Sequence, residues 1–280
     1  MSAFTFKTLF SNPTVKILDY SVLDCSLDEL MLNSKCLIST INQYSYMVAE
    51  KDEDFKNALM GSDVLLPDGI GVVAMIKMLR GEKVKKTTGY DLHQHLLKKL
   101  NAEGGSCFYL GSADRILEAI KKRMAKEYPH IKVGVYSPPF KDQFTEQDNE
   151  DMVNAVNAFK PDVLFVGMTA PKQEKWSYLH KELLDVKIIC PIGAVFDFYA
   201  MTIKRPSKFW IDLGLEWFIR LAKEPRRMSK RYIYYGPLFI LALLKIKVIS
   251  LFTKQQQVAV CPVYHQDEYP VMILQTKHSA

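Results

Sequence analysis

Short apolar runs alternating with longer segments of helical period leave few folds open to this chain. The runs fall at 36–41, 64–66, 106–110, 131–136, 163–166 and 187–191. Helical spacing occupies 44–60, 69–79, 91–101, 113–126, 146–159 and 172–183. Strand followed by helix at this spacing builds right-handed βαβ units, hence an α/β fold with a mostly parallel sheet flanked by helices. Gly104-Gly105 and Pro161-Asp162 punctuate returns from helix to strand.

The alternation stops near Lys204. From Lys204 to Lys247 the pattern is helical, basic and aromatic, with eleven lysines and arginines against Asp212, Glu216 and Glu224. The chain's net charge of +6 is concentrated there, so an anionic partner is expected to meet this block. Residues 237–252 are strongly apolar but interrupted by Lys245 and Lys247. Roughly 20 uncharged residues are needed to span a bilayer, so this segment reads as too short and too charged. A helix lying on a membrane surface and a helix docked on the protein's own core both fit it. The expected organisation is a catalytic core over 1–204, a basic and apolar helical appendage over 205–252, and an unassigned tail over 253–280.

Five cysteines, widely spaced and without a C-x-x-C pair, point to a reduced cytosolic protein with buried thiols. The N-terminus lacks a basic stretch leading into an apolar run, so no secretory signal is expected.

The run 64–66 delivers Asp68 onto the turn Pro67-Asp68-Gly69-Ile70-Gly71. In open α/β sheets, ligands bind beyond the C-terminal ends of strands, where such turns lie. Asp68 there is a general base, a ribose ligand or a helix cap. Gly69-x-Gly71-x-x-Ala74 also matches the dinucleotide fingerprint, which would make the protein an oxidoreductase. The acidic residue expected about 20 positions on, at the end of the next strand, is missing, since Asp91 opens a helix. Thr40 and Asn42 end the first run, two apart and so on one face of an extended segment. They either close a turn and cap a helix, or face the same crevice as Asp68. Pro171-Lys172-Gln173-Glu174 follows the run 163–166, with Pro171 suited to a first helical turn. Its polar side chains are either a solvated helix start or ligand contacts. Asp52-Glu53-Asp54 has a metal-binding form but also suits a helix N-terminus. His93 and His95, two apart on a helix, point in different directions. No metal site and no cofactor are expected. The densest cluster is 216–231, where Arg220, Arg226, Arg227, Lys230 and Arg231 interleave with Trp217 and Phe218. Guanidinium forks suit phosphate oxygens. The run into an apolar helix favours a diphosphate beside a membrane over nucleic acid. A non-catalytic basic adaptor on anionic membranes is a further alternative.

At this point the chain resembles the WecG/TagA/CpsF glycosyltransferases. Matching strings occur in order: Thr40-x-Asn42, Asp68-Gly69-x-Gly71, Gly89-x-Asp91-Leu92, Leu110-Gly111, Tyr128-Pro129, Pro171-Lys172-Gln173-Glu174, Phe196-Asp197, Glu216-Trp217-x-x-Arg220 and Glu224-Pro225-x-Arg227. The resemblance implies a Rossmann-like core and a C-terminal appendage that closes the active site at the membrane. It implies a metal-independent inverting transfer of a sugar, typically N-acetylmannosamine, from a UDP donor. The acceptor it implies is a polyprenyl-diphosphate-linked sugar at the cytoplasmic membrane face, in polysaccharide assembly. By matching position, Asp68 resembles the catalytic base, and Thr40, Asn42 and Gln173 resemble donor-site residues. Arg220 and Arg227, with Lys230 or Arg231, resemble the basic residues that meet the diphosphate. Lys86 stands where the family usually has arginine. Thr169, Ala194 and Met201 replace usual glycines, and Arg205-Pro206-Ser207 stands for a usual Arg-Ala-Pro. These departures surround the donor pocket and leave the donor sugar open. In the resemblance, Gly69 and Gly71 clear space around Asp68 rather than cradle a pyrophosphate.

Overall fold

A computed structural model describes residues 12–32, 35–202, 206–207, 209–210 and 215–258, without the side chains of Arg227 and 251–258. The apolar runs become strands β3 (Cys36–Ile41), β4 (Val64–Pro67), β5 (Ser106–Gly111), β6 (Lys132–Tyr136), β7 (Val163–Gly167) and β8 (Ile188–Pro191). They form one parallel sheet in the order β4-β3-β8-β7-β5-β6. Successive side chains enter opposite layers. Val163 and Phe165 join Cys107, Tyr109 and Cys190 on one face, while Leu164 and Val166 join Phe108, Leu110 and Ile189 on the other. Burial on both faces is why these strands read as continuous apolar runs.

Ahead of the sheet stands an antiparallel hairpin, β1 (Thr14–Ile17) and β2 (Tyr20–Leu23). Sequence reading missed it because four-residue strands give too short an alternation. Its Val15, Ile17, Tyr20 and Val22 pack with Phe55, Leu65 and Met75 in a third apolar cluster.

The region read as one helix over 44–60 is two, α1 (Gln43–Ala49) and α2 (Glu53–Met60). The Asp52 carboxylate accepts from the Phe55 amide and starts the second helix. Downstream come α3 (Ile70–Arg80), α4 (Gly89–Glu103), α5 (Asp114–Glu127), α6 (Glu146–Phe159), α7 (Lys172–His180) and α8 (Val195–Tyr199). Thr88 with Asp91, and Thr145 with Asp148, form capping boxes on α4 and α6.

The C-terminal block is helical: α9 (Glu216–Lys223), α10 (Pro225–Ser229), a π-helical turn (Lys230–Tyr234) and α11 (Tyr235–Val258). Twenty-four residues rise about 36 Å. Lys230–Ser250 is therefore long and apolar enough to cross a membrane by length and composition, which the apolar stretch alone did not suggest. The chain divides into two compact units, Met1–Leu243 and Leu244–Ala280, the division falling within α11. Phe239 is buried in the hairpin's cluster. Cys36, Cys107 and Cys190 are buried free thiols and Cys25 is half-buried; Cys261 lies outside the described residues.

Candidate active site

The sheet grows in both directions from β3: β4 lies on one side, and β8, β7, β5 and β6 on the other. Beyond the C-terminal ends of these strands lies a crevice of about 970 Å³, running from Asp68 to the loop after β6. A smaller niche adjoins it at Asp68, Lys86 and Trp217.

Backbone bonds fix the turn that carries Asp68. Its amide donates to the Ile41 carbonyl (2.9 Å), and the Thr87 amide donates to the Pro67 carbonyl (2.9 Å). Gly69 sits at φ +97°, a conformation that side chains disfavour. A Cβ on Gly69 or Gly71 would stand 3.1 Å from atoms of Gln43. The two glycines thus make room for Gln43 from α1, and Gly69 also lines the niche at Asp68. Asp91 is occupied as the capping partner of Thr88, with bonds of 2.7 and 2.9 Å. The dinucleotide reading thereby loses its acidic residue.

Asp68 opens to the crevice on one side, but the surrounding protein desolvates its carboxyl and pushes its pKa up to about 6. The nearby Glu216 carboxylate contributes to that rise, and Arg220, Lys86 and Arg231 oppose it. Lys86 pairs with Glu216 at 3.6 Å, bridging the loop after α3 to α9. Arg220 lies over the Phe198 ring at 5.1 Å. Its Nε and Nη2 are buried without a hydrogen-bond partner among the described residues. Arg231 stacks on the Tyr44 ring at 4.5 Å, and desolvation lowers its pKa. Unpaired buried guanidinium donors are costly in the free protein and suit an anionic ligand.

Thr40 and Asn42 both line the crevice. Asn42 also caps α1, accepting from the amides of Tyr44 and Ser45 at 3.0 Å, so both alternatives for it hold together. Pro171 precedes α7 rather than opening its first turn, joined to Ala170 by a cis bond. Gln173 is buried, and its Oε1 reaches the end of β8, where a Cβ on Gly193 would stand 2.8 Å away. Its Nε2 donates to Glu174 Oε1 (2.9 Å). Gln173 Oε1 and Glu174 Oε2 are both buried without a hydrogen-bond partner among the described residues. Burial pushes the Glu174 carboxyl up to about 7, against the pull of Gln173 and Arg231.

Of the sequence-assigned residues, the crevice and niche gather Asp68, Gly69, Thr40, Asn42, Lys86, Gln173, Arg220, Lys230 and Arg231. Arg226 is exposed and lines neither. The Arg227 side chain is outside the described residues. Asp52 is spent on the α2 cap and on an ion pair with Lys175 at 2.7 Å. His93 is buried against the Tyr109 hydroxyl at 2.7 Å, its pKa lowered to about 3 by burial, and His95 faces Asp28. Among the described residues no group of three or more His, Cys, Asp or Glu is placed to hold a metal ion. Sequence reasoning did not select Gln43, Tyr44 or Phe198, and it quoted Glu174 and Glu216 within motif strings without assigning either a role of its own. Glu216 carried a usable signal, standing four residues before Arg220, one helical turn away.

Comparison with known proteins bears on this site. The Glycosyl transferase WecG/TagA/CpsF family matches residues 14–251. A Bacillus subtilis protein is 32% identical over 194 residues, covering 69% of this chain and 74% of its own. A Bacillus spizizenii protein is 28% identical over 213 residues, covering 76% and 80%. A Staphylococcus aureus protein is 24% identical over 241 residues, covering 86% and 85%. All three are named N-acetylglucosaminyldiphosphoundecaprenol N-acetyl-beta-D-mannosaminyltransferase.

Proposed function

The chain belongs to the WecG/TagA/CpsF family of glycosyl transferases, and on that premise we propose that it transfers an N-acetylmannosamine-like sugar from a UDP donor to a polyprenyl-diphosphate-linked sugar. The reading rests on one arrangement: a desolvated Asp68 facing a crevice rimmed by Lys86, Arg220 and Arg231, with Arg220 donors unpartnered.

In this account Asp68 takes the proton from the acceptor hydroxyl. The hydroxyl oxygen forms a bond to the anomeric carbon as the bond from that carbon to the diphosphate oxygen breaks. Attack from the face opposite the leaving group inverts the anomeric centre. UDP leaves carrying the negative charge, and the guanidinium groups of Arg220 and Arg231 stabilise it in a site shielded from water. Glu216 holds Lys86 beside the same charge. Thr40, Asn42 and Gln173 contact the donor, and Lys230 the acceptor's diphosphate. A carboxyl near pKa 6 is ionised at neutral pH yet basic enough to take a proton as the bond forms.

The proposed location is the cytoplasmic membrane face, where a lipid-linked acceptor is found, with the basic and apolar C-terminal block as the contact with anionic lipid. Lys245 and Lys247 inside α11 favour a helix lying at the interface over one crossing the bilayer centre, where each charge is expensive.

The test is a screen of UDP-sugars with a short-chain lipid-diphosphate N-acetylglucosamine acceptor, read by UDP release. Release that depends on both substrates supports the reading. No release with any pair, from protein whose melting temperature responds to neither UDP nor UDP-sugars, overturns it.

A further inference from the structure

Helix α8 ends in two adjacent aromatic rings, and each has an arginine over it. The Arg123 guanidinium from α5 lies 4.3 Å from the Tyr199 ring, and that of Arg220 from α9 lies 5.1 Å from the Phe198 ring. The two arginines differ in what their edges meet. Arg123 Nε donates to Glu127 Oε1 (2.7 Å), and its Nη1 donates to the Tyr199 carbonyl (2.8 Å). Arg220 Nε and Nη2 are buried with no hydrogen-bond partner among the described residues. The first contact is complete, and it ties the end of α8 to α5. In the second, the face of the guanidinium is occupied and its edge is open.

Phe198 has little other use. Phe196 and Tyr199, three apart on α8, both join the apolar cluster of Tyr109 and Phe165. Phe198 is buried too, yet among the described residues it belongs to none of the three apolar clusters, and it lines the crevice instead. The acid one turn before Arg220, Glu216, pairs with Lys86 at 3.6 Å. A carboxylate holding Arg220 would take the N–H fork that a diphosphate needs. A ring attracts the cation through its face and leaves the N–H groups in the guanidinium plane free. Desolvation strengthens that attraction.

Resting on the glycosyl-transfer reading, we infer that Phe198 is the positioning residue of Arg220: its ring fixes the guanidinium while Nε and Nη2 stay free for the charge of the departing diphosphate.

The experiment is a double-mutant cycle on kcat, read by UDP release with a UDP-sugar and short-chain lipid-diphosphate acceptor that wild type turns over. It compares wild type, F198L, F198Y, R220A and the double variant F198L/R220A, with melting temperatures measured alongside. F198L removes the ring and should lower kcat about tenfold. F198Y keeps the ring and should stay within about twofold of wild type. In the R220A background F198L should cost less than about twofold, since a residue acting through Arg220 has nothing left to position. An equal loss in both backgrounds overturns the inference alone, because the ring then serves the fold or meets the ligand itself. Wild-type kcat in F198L also overturns it, as does a folded F198Y as slow as F198L. Wild type that turns over no UDP-sugar overturns the glycosyl-transfer reading and this inference with it. Should F198L not fold, the same cycle with F198M, whose flexible side chain fills irregular space without a ring, decides by the same outcomes.

Discussion

The turns after β4 and β7 each deliver a carboxyl into the same crevice, and burial raises both. Their surroundings differ. Asp68 sits among Lys86, Arg220, Arg231 and the opposing Glu216, whereas Glu174 has an amide, Gln173, at its side and, among the described residues, Arg231 as the charge acting on it. A ring of cations makes an ionised, basic carboxylate sustainable. At Glu174 burial outweighs the pull of the Gln173 amide and of Arg231 and favours the neutral acid. In the proposed mechanism it is the carboxyl among cations, Asp68, that would take the proton.

The sharpest way to break this contrast is Asp68→Asn. General-base catalysis contributes about 10²–10⁴-fold, so kcat should fall by that factor while UDP affinity survives. Near-normal turnover would remove Asp68 from the chemistry. Next, Arg220→Ala should lower kcat about 10²–10³-fold, as expected for a lost donor to developing charge, with lysine restoring little. An effect confined to KM would move Arg220 from leaving-group stabilisation to ground-state binding.

The neutral-acid side of the contrast has a stability signature. Glu174 has its folded pKa raised to about 7, above its unfolded value, so the folded state holds the proton longer. Wild-type stability therefore falls as pH rises from the ordinary glutamate range through about 7, and the full penalty applies above that. E174Q lacks this penalty and should be more stable than wild type at pH 8 by about 1–3 kcal/mol, with the gain gone at pH 4.5. Denaturant unfolding at the two pH values reads it; an equal difference at both would mean the carboxyl is not protonated by burial. The smallest effect is at Asn42. Asn42→Ala should cost about 1 kcal/mol from the lost cap, whereas Asn42→Ser keeps the cap and its thermal stability. If the amide also meets the donor, both variants raise KM.

Much of this was legible in the sequence. The strands at 36–41 and 106–110 announce themselves because a sheet covered on both faces needs uninterrupted apolar runs. Asp68 stood out because a carboxylate beyond a strand's C-terminal end lies where open α/β sheets bind ligands. What those glycines accommodate was not legible, since Gln43 arrives from another βα unit. Glu174 was read with its string as either a solvated helix start or a ligand contact, and its burial was not legible because tertiary packing of α7 decides it. In the run of basic residues, adjacency said nothing about facing. Arg231 is drawn to Tyr44 beside the crevice, while Arg226, five positions earlier, is exposed. The hairpin β1–β2 escaped notice because four alternating residues are too few to distinguish from chance.

The central claim, that Asp68 is the base, is tested most directly by the pH dependence of kcat/KM, which reports ionisation in the free enzyme. The account predicts that log kcat/KM rises with unit slope below a bend at about pH 6 and is level above it, and that the residual rate of D68N has no such bend. A wild-type profile that stays level through pH 6, or a bend that persists in D68N, would contradict it.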